Sequence, residues 1–238
     1  MDRLLDQVPA DDPRRYFLAT YRRSTMAIGA EVAAARFLDP PWVERWDVVF
    51  ADLYLGPLAD DLDGRPVPGP WGVAFSFART QPQQPPLRHL LLGMNAHINF
   101  DLPQALLAVI DDGEFRDEAL VARRLDDNER VDAILVSRVS AEDAVLAERG
   151  RTLTDRLLQP ANRAATRRFV SESRRKVWAN ARVLSAARVR GPVAYAQTLA
   201  ALERLCTGKI QELVRPGPVL LRLGFGGFGV TLPGAAIR

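Results

Sequence analysis

The stretch His89-Leu-Leu-Leu-Gly-Met-Asn-Ala-His97-Ile-Asn-Phe-Asp101-Leu-Pro103 contains both histidines of the chain and decides how the rest is read. Taken as a helix, it puts His89, Gly93, His97 and Asp101 on one ridge at four-residue spacing. Gly93 leaves room on that ridge for another group to approach. The other positions are mostly apolar, so the helix belongs inside a helical protein and carries imidazoles and a carboxylate in with it. Burying such groups costs free energy unless each finds a partner. The ridge is therefore expected to meet a metal, a ligand or a set of hydrogen-bonding side chains.

Helical signals extend outward from this stretch. Asp12-Pro13 places a cap before a favoured first helical residue, and Tyr16, Phe17, Ala19, Tyr21, Met26, Ile28 and Val32 carry an apolar pattern to about Phe37. Asp39-Pro40 repeats the start signal. Trp42, Val43, Trp46, Val49, Phe50, Leu53 and Tyr54 then recur at helical spacing up to Gly56-Pro57. The proline- and glycine-rich segment 60–70 reads as a loop, and 71–79 as a short helix. The His89 helix is expected to kink or stop near Leu102, because Pro103 disfavours helical geometry before it. A helical run from Pro103 to Ile110 precedes the Asp111-Asp112-Gly113 turn. The next helix is expected to start at the Asp126-Asp127-Asn128-Glu129 cluster, whose charges suit the positive end of a helix dipole, and to include Val131, Ile134, Leu135 and Val139. A long basic helix from about Asn162 to Val189 ends at Gly191-Pro192, and a last amphipathic helix runs through Tyr195, Leu199, Leu202, Leu205 and Ile210 to Val214. These signals predict a mainly α fold, a single-domain helical bundle over residues 1–215 with a glycine-rich, extended C-terminal tail, residues 216–238, packed on the same domain.

Composition narrows the function classes. At 238 residues and 47% hydrophobic content the chain can bury a substantial core. It shows no export signal and no apolar run of about 18 residues. The single Cys206 forms neither an internal disulfide nor a zinc motif, and the expected compartment is the cytoplasm. Residues 1–150 carry 16 Lys+Arg against 25 Asp+Glu (net −9), and residues 151–238 carry 16 against 4 (net +12). Two such halves can face each other within one fold. The acidic first half would repel a polyanion, so nucleic acid is an unfavoured partner for the basic helix. Arg175, Trp178 and Arg182 are instead spaced to face the core boundary.

His97 and Asp101 are the central candidates, either as co-ligands of a divalent metal or as a catalytic acid/base and its orienter. His89 lies about 12 Å of helix rise away, too far to share one ion with His97. A mononuclear site would then draw on Asp47, Asp52, Asp132 or Glu129. Asp47 sits among large apolar residues and is a candidate catalytic carboxylate, or the partner of an internal Arg or His, with Tyr54 on its face. Asn95 and Asn99 could bind a substrate oxygen. They lie roughly 160° around an ideal helix from His97 and Asp101, so they serve better to tie the helix to a neighbouring loop.

Phe50-Ala-Asp-Leu-Tyr-Leu55 and the quoted stretch together resemble the signature of a mainly actinobacterial family of unknown function. The resemblance carries no activity with it, but it marks His89, Asn95, His97, Asn99 and Asp101 as motif positions. Three functions follow as expectations. The first is a small-molecule enzyme of hydrolytic or cyclisation/isomerisation type, working on an apolar or partly apolar metabolite through His97, Asp101, His89 and Asp47, with Asn95, Asn99, Tyr54 and Trp178 binding the ligand. The second is a noncatalytic ligand-binding or interaction protein with a structural polar core, and the third is nucleic-acid binding. A homo-oligomer is compatible with each.

Overall fold

The computed structural model describes residues 1–147, 172–173, 175–217, 223 and 227–235. The elements in chain order are α1 (Asp2–Gln7), α2 (Arg14–Ala33), α3 (Pro40–Leu62), α4 (Gly69–Thr80), α5 (Pro86–Ala96), a π-helical turn (His97–Asp101), α6 (Leu102–Val109), a 3-10 turn (Glu114–Arg116) and α7 (Glu118–Ala147). Helix α8 (175–190) and helix α9 (Pro192–Val214) follow. The fold is mainly α, and no strand occurs among the described residues.

The α5–π–α6 rod runs through the middle. α2 and α4 pack against α5, α3 packs against α6, and α9 packs along α4 and α5. Apolar side chains pack in three clusters around the rod. The first joins α2, α3, α4 and α9 through Leu18, Tyr54, Leu58, Trp71 and Ile210. The second joins α3, α6, α7 and α8 through Trp42, Trp46, Leu106, Val131 and Trp178. The third gathers Phe100, Leu107, Leu184, Leu202 and Cys206 around Leu232 of the tail.

Several boundaries differ from the expected ones, each for a local reason. α2 stops at Ala33 rather than near Phe37 because Ala35 takes a left-handed conformation (φ 52°). There the Arg36 N–H donates to Glu31 O at 3.1 Å in a Schellman closure, which frees Phe37 to pack in the core. Asp39 then caps α3, accepting from the Trp42 N–H at 3.1 Å. α3 runs through Pro57 to Leu62 instead of ending at Gly56-Pro57, because Leu58 beyond it is fully buried and its packing offsets the lost backbone donor. α7 begins at Glu118, not at Asp126, since Asp117 Oδ1 accepts from the N–H groups of both Ala119 and Leu120 at 3.0 Å. The acidic cluster thus lies within α7 and does other work. Buried Asp127 accepts from the N–H groups of Leu38 and Asp39 at 2.7 and 2.9 Å, holding the α2–α3 corner. Asn128 accepts from Trp178 Nε1 at 3.1 Å and ties α8 to α7.

The start of the basic helix, with Arg167, Arg168 and Arg174, lies outside the described residues. In α8 the expected core-boundary trio separates, with Trp178 buried and both Arg175 and Arg182 exposed. Arg188 does cross between the oppositely charged halves, pairing with Asp112 at 2.7 Å. No described helix is long and apolar enough to cross a membrane.

Candidate functional site

The rod leaves α geometry only at His97–Asp101, whose π turn is followed by Pro103. Proline has no N–H to donate, and its ring crowds the carbonyl four residues back, here that of Asn99, so the preceding turn opens. The kink or stop expected near Leu102 is thereby replaced by a widened turn in a continuous rod. π turns of this kind occur often at functional sites.

Within this turn His97 Nδ1 and Asp101 Oδ2 lie 2.9 Å apart. Trp71 Nε1–H donates to the same Oδ2 at 3.0 Å. An indole only donates, so Oδ2 accepts from Trp71, and with Asp101 ionised or protonated on Oδ1 the proton shared with the imidazole lies on His97 Nδ1. The lone pair of His97 is then on Nε2, which is buried and reaches no hydrogen-bond partner among the described residues.

Aromatic rings from three helices close around the imidazole. Phe50 stacks on it with centroids 3.6 Å apart and planes 5° from parallel. Tyr21 meets it edge-on at 4.6 Å, while Phe17, Tyr54 and Trp71 complete the shell at 5.8, 5.9 and 6.1 Å. The pairs Phe17/Tyr21 on α2 and Phe50/Tyr54 on α3 are each four residues apart, so each pair presents two rings on one face. The hydroxyls of Tyr21 and Tyr54 are buried without a partner among the described residues.

Gly93, one turn before His97, is what lets α2 come this close. A Cβ there would stand 2.7 Å from Phe17 Cγ. The space left on the polar ridge is therefore filled by Phe17.

Charge is disfavoured throughout this shell. Burial pushes the His97 imidazole well below its usual pKa. Burial likewise pushes the Asp101 carboxyl well above the carboxylate range, with the Trp71 hydrogen bond pulling the other way. Tyr21 is raised by burial and then by the charges of Asp47 and Asp101, and Tyr54 is raised chiefly by burial. Burial thus favours the neutral imidazole, and in the Nδ1–H tautomer the Nε2 lone pair lies inside the aromatic shell.

Of the residues proposed from sequence, the structure gathers His97, Asp101 and Tyr54. His89 stands apart, near Tyr16 and Phe77 with ring centroids 6.1 and 5.3 Å away. Burial lowers its pKa, and the backbone carbonyls of Gln84 and Gln81 act against that shift. It lines a small crevice of about 20 Å³ with Arg14, Phe17, Tyr54, Trp71 and Gly93, which has room for about one water molecule. Asp47 is half-buried one turn before Phe50, and burial pushes its pKa up to about 7. The Arg or His contact considered for it is not found among the described residues.

Asn95 and Asn99 spend their amide nitrogens on Phe228 O of the tail, at 3.1 and 3.0 Å, and so tie the rod to a neighbouring segment rather than line the His97 shell. Trp178 gives its N–H to Asn128 and packs in the second apolar cluster. Phe17, Tyr21, Phe50 and Trp71 were not proposed as site residues from sequence. The two i, i+4 aromatic pairs were the available signal.

A family model matches residues 1–216. The chain belongs to DUF5995, a family of unknown function. No curated protein and no solved structure matches it. The DUF5995 region contains the whole His97 shell, whereas Phe228 and Leu232 lie beyond it.

Among the described residues, the donor set around His97 does not fit a mononuclear metal centre. His97 Nδ1 and Asp101 Oδ2 are directed at each other, and Nε2 faces aromatic rings. Among the described residues no three His, Cys, Asp or Glu side chains come together where they could hold an ion.

Proposed function

We propose that this protein is an enzyme that moves a proton on a small, uncharged, largely apolar molecule, with His97 Nε2 as the general base and Asp101 as its orienter. The observation that carries this reading is the asymmetry around His97. Its Nδ1 side is organised by Asp101 and Trp71, while Nε2 is without a partner among the described residues, as are the buried hydroxyls of Tyr21 and Tyr54, whose rings belong to the same shell. Leaving a buried polar group unpaired costs about 1–3 kcal/mol. A ligand carbonyl or hydroxyl among these groups would recover that cost. Isomerisation or cyclisation suits the arrangement, because one base can take a proton from carbon or oxygen while a phenol donates to the developing negative charge. Hydrolysis would use the same base on a water molecule. The crevice beside Tyr54 and Trp71 is too small for a metabolite, so entry requires α2 or α4 to move.

The closed shell also supports a second reading, a noncatalytic protein whose polar pair braces α4 against the rod. A thermal-shift screen of uncharged carbonyl and hydroxyl compounds separates the two. A true ligand at 100 times its Kd adds about 2.7 kcal/mol, and its Tm increment should vanish in His97→Gln. Turnover of the hits, absent in His97→Gln, completes the case for catalysis. If no compound stabilises the wild type more than His97→Gln, and that variant simply loses stability, the bracing role stands.

A further inference from the structure

Tail residues 227–232 are held by side chains. Asn95 and Asn99 both donate to Phe228 O, at 3.1 and 3.0 Å. Lys176 Nζ donates to Gly229 O at 3.1 Å. Asn180 of α8 takes the next stretch in both directions, donating to Val230 O at 3.0 Å and accepting from the Leu232 N–H at 2.8 Å. The approach is close, so a side chain on Gly229 would displace the Lys176 chain. A Cβ on Gly229 would stand 2.6 Å from Lys176 Cδ and 3.5 Å from Asn99 Oδ1, and Gly227 has φ +65°. Phe228 and Leu232 are buried on either side of this grip.

One carbonyl therefore receives donors from both sides of the α-to-π junction. Asn95 lies in the last turn of α5 and Asn99 in the middle of the π turn, while His97 between them and Asp101 beyond carry the candidate chemistry. A π turn is a strained departure from the regular helix and persists where surrounding contacts determine it. Pro103 supplies one such contact from within the rod.

We propose that residues 227–232 are a positioning strap, which fixes the π turn through Asn95 and Asn99 and so sets the His97–Asp101 hydrogen bond. The inference rests on that pair being the working centre. The strap does not touch the imidazole. Its carbonyl anchors the opposite face of the same turn, so that loosening it lets residues 97–101 relax toward α geometry and lengthens the contact between Nδ1 and Oδ2.

Because the chain has only two histidines, imidazole nitrogen NMR on the full-length protein reads His97 directly, with His89 as an internal reference. The deciding variant is Asn180→Ala, which frees the far end of the strap without altering the rod. Gly229→Ala, which displaces the Lys176 chain and with it the hydrogen bond to Gly229 O, is the second. Both are expected to speed exchange of the His97 Nδ1–H with water by about tenfold, with His89 unchanged. Asn99→Ala should do the same, and Asn99→Gln should restore part of the protection. Folded Asn180→Ala or Gly229→Ala protein with wild-type His97 shifts and exchange overturns the strap. The readout needs no substrate, so it stays informative if the enzymatic reading fails. Loss of ligand response in His97→Gln alone, with the strap variants silent, supports the enzyme and removes the strap.

Discussion

Replacing Gly93 by alanine tests the packing that closes the His97 site. In most helix interiors this exchange is favourable, by about 0.8–1.0 kcal/mol, because alanine loses less backbone freedom. At Gly93 the new methyl would meet Phe17 Cγ, Cδ2 and Cβ at 2.7, 2.9 and 3.1 Å. The Phe17 Cβ is fixed by the backbone, and Cγ and Cδ2 could be cleared only by turning the ring out of its packing. The ring is also held, stacked on Tyr21 at 5.7 Å and edge-on to Tyr54 at 4.9 Å. Relief requires α2 to shift, which places the overpacking cost in the upper part of its usual range, about 2–3 kcal/mol. Set against the propensity gain, the net expected loss is about 1–2 kcal/mol, or about 2–8 °C in Tm for a chain of this size. Gly208→Ala is the matched control, since it also lies within a helix but a Cβ there meets nothing within 4 Å. It should stabilise by about 0.5–1 kcal/mol. Urea titration of both variants decides the matter. If Gly93→Ala is as stable as the wild type, or gains like Gly208→Ala, Phe17 does not depend on that glycine and the account of the closed shell is wrong.

Other expectations concern single side chains. Asp47 is held up to about 7 in the fold, against an ordinary value of 3.8, so its protonated form is favoured by folding. Its contribution is complete below about pH 4 and is lost as pH rises through about 7. Asp47→Asn should therefore match the wild type at pH 4 and exceed its stability at pH 8, and parallel urea curves at the two pH values would contradict this. Trp71→Phe removes the indole donor from Asp101 Oδ2 and should cost about 1–3 kcal/mol, measured by the same titration, with a loss under about 0.5 kcal/mol counting against the bond. Asp127→Ala strips the acceptor from two backbone N–H groups and is expected to cost about 2–4 kcal/mol. The neighbouring exposed Asp126→Ala should stay within about 0.5 kcal/mol of wild type.

Much of the architecture was legible because it is local. Asp12-Pro13, Asp39-Pro40 and Gly191-Pro192 mark helix starts through the fixed φ of proline and the helix starts they sit beside, and α2, α3 and α9 begin at or next to them. The expectations failed where a distant contact outweighed a local signal. Pro57 reads as a terminator, yet the burial of Leu58 carries α3 past it. Asp126-Asp127-Asn128-Glu129 reads as a helix start, yet Asp117 had already begun the helix, and Asp127 is occupied 88 and 89 residues away in sequence.

For the site, periodicity alone put His97 and Asp101 on one face and Asn95 and Asn99 on another, because residues four apart on a helix are neighbours whatever surrounds them. The same spacing paired Phe17 with Tyr21 and Phe50 with Tyr54. Which of these faces met, and around what, was decided only in three dimensions. Trp71 reaches Asp101 across 30 residues of chain, and Phe228 reaches Asn95 across 133. No local pattern encodes such contacts, because they depend on how whole helices pack. Tertiary packing therefore made His97 a buried imidazole with Nδ1 engaged and Nε2 without a partner among the described residues, where the sequence determined only that it shares a helix face with Asp101.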